Sequence, residues 1–175
     1  ISEELAYDIL QFPEEDKDDT GRRMARAAKL HKEAVDGSIE KLGLMHPATS
    51  DIIFRYAKYL TRIHEYREGA DMAKLILPAH IKHFGEGGRN TLELKEVISF
   101  LKVKLDLMDA WELVGPYRKV KNTNVVRGLS LVQNAMKAYP IEKLCHHNGD
   151  CPTDTLAWAL FENGRYEEAV VASKK

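Results

Sequence analysis

The stretch Asp154–Ala169, DTLAWALFENGRYEEA, states the architecture of the chain more plainly than any other. Leu156, Ala157 and Leu160 recur at helical spacing, with Trp158 beside them. Asn163-Gly164 can end that helix, and Arg165-Tyr166-Glu167-Glu168-Ala169 opens another. Small residues at 157 and 169 let two antiparallel helices approach closely, and Tyr166 is expected to fill the angle between them. The stretch reads as a helical hairpin. The rest of the chain can be tested for copies of it.

Copies recur upstream in a fixed frame. Met24-x-x-Ala27, Tyr66-x-x-Gly69 and Leu107-x-x-Ala110 are separated by 42 and then 41 residues. Gly43 and Gly85 are 42 apart, as are Thr49 and Thr91. Four spacings of 41 or 42 residues imply an internal repeat.

Small-x-x-Leu in a first helix, then Gly-x-Tyr-x-x-Ala opening a second, resembles the tetratricopeptide repeat. The long period and the junction Leu42-Gly43…His46-Pro47-Ala48-Thr49 are similar to the kinesin light chain class of that family. The second junction, Phe84-Gly85-Glu86-Gly87-Gly88-Arg89-Asn90-Thr91, keeps the frame without His-Pro. The resemblance implies an all-α fold of antiparallel helical hairpins stacked as a right-handed superhelix, an α-α solenoid. It also implies a concave groove, lined by the first helices, that binds peptides. Stability in such an array comes from stacking, because each hairpin leaves apolar surface only a neighbour can cover. The expected organisation is one domain over 1–175, with repeat units near 1–46, 47–88, 89–122, an irregular 123–152 and a truncated 153–175. Both ends read as cut from a longer protein, so self-association through the bare C-terminal end is expected, by way of Trp158 or Val170.

In order, the sequence predicts a short helix over Ser2–Gln11 with Ser2 as its cap, ended by Phe12-Pro13. Glu14–Asp19 reads as a solvated acidic loop. A helix from Thr20 to Leu42 would bury Met24, Ala27, Ala28, Leu30, Ala34, Ile39 and Leu42, with Gly43 just past its end. Pro47 stops any continuation, and Thr49 or Ser50 caps a helix from Asp51 to Ile63. Tyr66–Phe84 follows, bent at Pro78. Thr91 caps Leu92–Leu105, and Gly115-Pro116 should kink or break whatever helix holds Trp111 and Val114. Val125–Ala138 is a further helix, and Cys145–Pro152 is a loop.

Composition narrows the function classes. Twenty-six basic side chains against 27 acidic ones favour neither nucleic acid nor an anionic membrane. A 44% hydrophobic fraction is ordinary for a folded soluble domain. No apolar run approaches the roughly 20 residues that span a bilayer, so membrane insertion is not expected. The location expected is cytoplasmic. Gly-x-Ser-x-Gly and His-Glu-x-x-His are absent from the sequence. Gly85-Glu86-Gly87-Gly88 lies between helices rather than after a strand, unlike a phosphate loop. The reading is of a chain with no catalytic residues, no resident metal and no cofactor.

The groove chemistry expected is basic. Ala57 and Leu60 face the partner helix, which leaves Phe54, Arg55, Lys58 and Arg62 toward the other side. Lys95, Ser99 and Lys102 are their counterparts on the next first helix. Lys58, Arg62, Lys95 and Lys102 make a strip suited to an acidic peptide or protein partner. The alternative is a regulatory or recruitment domain of a larger enzyme, since the chain also loosely resembles the C-terminal domain of SET/MYND methyltransferases. In that reading Cys145-His146-His147-Asn148-Gly149-Asp150-Cys151 is a possible zinc site. The first reading of the two cysteines is free thiols in an irregular loop, with a disulfide closing the loop, in an oxidising compartment, as a further alternative.

Overall fold

The computed structural model describes residues 17–115, 124–139, 144 and 151–174. Among them every regular element is an α-helix. In chain order these are α1 (Lys17–Leu42), α2 (Pro47–Arg62), α3 (Tyr66–Phe84), α4 (Arg89–Val114), α5 (Val125–Ala138), α6 (Pro152–Glu162) and α7 (Tyr166–Ala172). The helix expected over Ser2–Gln11 lies outside the described residues. The acidic loop expected through Asp19 is already helical from Lys17. Contacts divide the chain into two compact units, Ile1–Leu101 and Lys102–Lys175, and the boundary falls inside α4.

In the first unit α2 packs on both α1 and α3. The buried stripe of α1 is Ala27, His31, Val35 and Ser38, at helical spacing. Met24, Ile39 and Leu42, expected to be buried, are 38%, 36% and 49% exposed. The helix turns two polar residues inward because both find suitable neighbours. The His31 ring lies near those of Tyr56, at 5.7 Å, and Tyr59, at 4.8 Å. Ser38 donates from Oγ to the Val35 carbonyl at 2.8 Å, and its own carbonyl receives a bond from the next helix.

That bond belongs to a junction that occurs twice. Thr49 Oγ1 donates to the Ser38 carbonyl, and Thr91 Oγ1 donates to the His80 carbonyl, both at 3.2 Å and both reaching eleven residues back. Each junction turns on a glycine at positive φ, +81° at Gly43 and +75° at Gly85. Their amides donate to Ile39 and Ile81, each at 2.9 Å, and so close the helices they follow. Thr49, Ser50 and Thr91 are therefore core residues with no exposed surface, not the caps expected of them. α2 starts four residues earlier than expected, at Pro47. Proline is pre-organised for the first helical turn, and His46 Nδ1 accepts from the Ala48 amide at 3.2 Å.

A second geometry recurs 100 residues apart. After α2, Ile63, His64 and Glu65 donate to Tyr59, Thr61 and Leu60. After α6, Asn163 donates to Ala159 and Leu160, Gly164 to Phe161 and Arg165 to Leu160. His64 and Gly164 both sit at positive φ, +67° and +74°. The α2–α3 and α6–α7 hairpins thus share one turn. Close approach in the first is real: a methyl group on Gly69 would stand 3.3 Å from the Ala57 carbonyl and 3.4 Å from Leu60 Cβ. The coverage differs. Tyr66 is 7% exposed, whereas Tyr166 is 60% exposed and does not fill the angle between its helices. It meets only the edge of Phe161 among the ring contacts described, at 5.3 Å.

In the second unit α5 packs on α6, and α6 on α7. Asn124 caps α5 through Oδ1, which accepts from the Arg127 amide at 2.9 Å. Asn163 Nδ2 reaches from the α6–α7 turn to the Val125 carbonyl at 2.9 Å. The later half of α4 buries Val103, Leu107, Ala110 and Val114. The earlier half, in the first unit, buries Leu94 and Leu101. These sets do not continue a single stripe, which is why periodicity ends the predicted helix at Leu105 when it runs to Val114. Gly128 lets α5 approach α4: a methyl group there would lie 2.5 Å from Val114 Cγ1.

Two substitutions separate backbone strain from crowding. Gly85 has φ +75° and ψ 162°, a region open in practice only to glycine, with nothing near where a Cβ would stand. Gly85→Ala is expected to destabilise the protein by about 1–3 kcal/mol through strain alone. Gly128→Ala is expected to lose a similar amount, about 1–3 kcal/mol, through overpacking. Urea unfolding checks both, and only the Gly128→Ala loss should shrink when Val114→Ala is added.

Candidate functional site

The expected binding residues rest on a buried polar core. Ser50 Oγ and His80 Nδ1 share a hydrogen bond of 2.7 Å, and both side chains are sealed from water. The Phe54 ring stands edge-on to His80 at 5.6 Å, and Phe84 closes the other side at 5.4 Å. Phe54 is thus buried at 7% exposure rather than set on the open side of α2. Above it, Lys58 places Nζ 4.6 Å from the ring centroid and pairs with Glu93 of α4. That pair sets the exposed edge of α2 beside the start of α4.

The other expected residues spread from this centre. Arg55 is paired along α2 with Asp51 at 3.0 Å, both more than half exposed. Arg62 is exposed at the end of α2, and its charge pulls down the Tyr59 phenol, against the larger effect of burial that raises it. Lys95 reaches the Glu86 carbonyl at 3.5 Å, and Ser99 Oγ donates to the Lys95 carbonyl at 2.8 Å. Lys102 is exposed and belongs to the second unit. The first unit therefore brings together Phe54, Lys58 and Glu93, with Arg55, Arg62, Lys95 and Ser99 along the same two helices.

Electrostatically this face is mixed rather than purely basic. Lys58 and Glu93 are each close to half exposed, and such pairs contribute about 0–1 kcal/mol.

The histidines are what the sequence reading missed. His31 and His80 are 4% and 2% exposed. The 42-residue frame held the signal for His80: it stands eleven residues before Thr91, as Ser38 stands before Thr49. Burial lowers the pKa of both imidazoles below the ordinary 6.5. For His80 a bond at the Ile76 backbone and the charge of Asp51 oppose that shift, while His83 adds to it. Among the described residues His31 Nδ1 has no hydrogen-bond partner, so none of them would pair with a proton there.

The metal reading meets a direct obstacle. Cys151 is disulfide-bonded and its sulfur is committed. Cys145 and the residues to Asp150 lie outside the described residues. Among the described residues no group of three or more His, Cys, Asp or Glu side chains is placed to hold a metal ion, and no helix is long and apolar enough to cross a membrane. Neither the protein-family models nor the curated proteins searched give a match to this chain.

Buried neutral histidines make stability depend on pH with a defined sign. Their folded pKa lies below the unfolded 6.5, so the unfolded chain binds more protons as pH falls. The contribution is whole above about pH 6.5 and is lost progressively below it. The urea midpoint is expected to drop between pH 7.5 and pH 5. His31→Phe, which keeps a ring between the two tyrosines, should flatten that slope.

Proposed function

We propose that the chain is a non-enzymatic interaction scaffold, a stack of tetratricopeptide-like hairpins in a right-handed superhelix, that holds an acidic protein or peptide segment. The segment lies along α2 and the start of α4, on Arg55, Lys58, Arg62, Lys95 and Ser99. The observation that supports this reading is the Lys58–Glu93 pair above Phe54, which links the exposed edge of α2 to the start of α4. An extended acidic segment crossing both helices exchanges its carboxylates for Glu93 and Asp51. Its affinity comes from several such exchanges together and is correspondingly sensitive to salt.

Capture from cell extract by the wild-type chain and by Lys58→Glu/Arg62→Glu, read by mass spectrometry, tests the face. Proteins with acidic segments are expected on the wild type and lost from the variant, with helicity unchanged. Identical partner sets would sink the proposal.

The expected cytoplasmic location has its own test, because the disulfide at Cys151 argues against it. Cytosolic thiols are kept reduced, whereas disulfides persist in oxidising compartments. If the protein is cytoplasmic, alkylation at the moment of lysis should label Cys151. Protection until a reductant is added, as the disulfide at Cys151 requires, moves the protein to an oxidising compartment.

A further inference from the structure

The shared turn of the two hairpins permits comparison position by position, each residue of α6–α7 with the one 100 earlier in α2–α3. In the first hairpin Tyr56 is 4% exposed and runs between helices. Its hydroxyl donates to Glu68 Oε1 at 3.1 Å, and its ring stacks on His31 of the preceding helix at 5.7 Å and 24°. Burial first, then Glu68, pushes the phenol well above its ordinary pKa, so it stays a donor. The space between α1, α2 and α3 is filled by this tyrosine.

The second hairpin keeps the acceptor and lacks the ring. Leu156 stands where Tyr56 does, Ala172 where Met72 does, and Glu168 where Glu68 does. α5 packs before α6 as α1 packs before α2. Between α5, α6 and α7 there is an open cleft of about 440 Å³, lined by Met136, Leu156, Leu160 and Ala172 together with Glu167 and Glu168. That volume falls in the range of small-ligand pockets, roughly 300–1,000 Å³. Arg165 holds Glu168 with two bonds, 2.7 Å to one oxygen and 2.6 Å to the other. Each carboxylate oxygen can accept more than one bond, so the pair orients the acceptor without exhausting it.

We propose that this cleft is a docking site for a tyrosine side chain of a partner polypeptide. The ring lies on Met136, Leu156 and Leu160, and the hydroxyl donates to Glu168 as Tyr56 donates to Glu68. The argument for that occupant is internal to the chain: the equivalent space in the first unit is closed by a phenol bonded to the equivalent carboxylate. Charge agrees, because two carboxylates and an apolar lining favour a hydrogen-bond donor carried on a ring and disfavour an acidic group. The site goes beyond the basic face of the first unit and uses none of its residues.

The test uses the full chain and p-cresol, the side chain of tyrosine as a free molecule, with toluene as the comparison lacking the hydroxyl. Methyl resonances of Met136, Leu156 and Leu160 report occupancy by NMR. Saturable shifts with p-cresol are expected, with affinity about tenfold above that for toluene, since the hydroxyl bonds a charged acceptor. Leu156→Tyr supplies the ring from within, and is expected to abolish p-cresol binding and raise the urea midpoint. Ala172→Met, a smaller filling, should weaken binding at least threefold if Leu156→Tyr does not fold. Lys58→Glu/Arg62→Glu should leave p-cresol binding unchanged, which separates this site from the acidic-segment face. Absence of saturable shifts in the wild type would overturn the proposal, as would equal affinity for the two probes. Undiminished binding in a folded Leu156→Tyr would overturn it too.

Discussion

A hydroxyl with no access to water stands at the α1–α2 and α3–α4 junctions, and the local chain path follows from satisfying it. Thr49 and Thr91 are fully buried, and a buried hydroxyl without a partner is destabilising by about 1–3 kcal/mol. Each finds its acceptor in a carbonyl eleven residues upstream, on the helix just completed. To bring that carbonyl within reach, the chain must reverse in the few residues after the helix ends. Glycine at positive φ makes the reversal possible. The donor, the acceptor and the glycine are thus one device, and it recurs after 42 residues.

That device also explains which parts of the fold were legible. The bounds of α3 and α5 can be read because Tyr66, Phe84, Val125 and Ala138 coincide with changes in both periodicity and breaker residues. Thr49 and Thr91 were legible as landmarks but not as to their role. A threonine just after a turn has the same sequence signature whether its hydroxyl caps its own helix or bonds the previous one. The difference is tertiary. His31 escaped for a related reason: hydrophobic periodicity scores a histidine as polar, whereas a neutral imidazole beside Tyr56 and Tyr59 behaves as a ring. α4 was cut short because its buried residues serve two units, so no one stripe of the kind a period search detects runs its length.

At the candidate face, residue types were legible and their pairing was not. Lys58 and Arg55 read as cations free for a partner, yet they carry Glu93 and Asp51 beside them. Glu93 is 35 residues from Lys58, and nothing local announces the contact. Phe54 was placed by helical phase on the open side, but α2 has core on more than one side because it packs on two helices in sequence. A helix between two neighbours buries a wider arc than a two-helix pattern implies.

The two hairpins show how one backbone can carry different surfaces. Their turns share three backbone bonds and a residue at positive φ, yet Tyr66 is buried where Tyr166 is bare, and Tyr56 fills a space that Leu156 leaves open. Backbone agreement follows from a few positions, chiefly Leu60 and Leu160 as acceptors and a residue at positive φ before the second helix. Those positions leave the remaining ones free to vary. Tyrosine against leucine at 56 and 156 changes neither helix nor turn, because both residues lie on helical phase and neither takes part in the turn bonds. What changes is volume and a donor. Hairpins that share a turn can therefore differ in the filling between their helices, and such positions are where one hairpin is closed by its own side chain and another is left open.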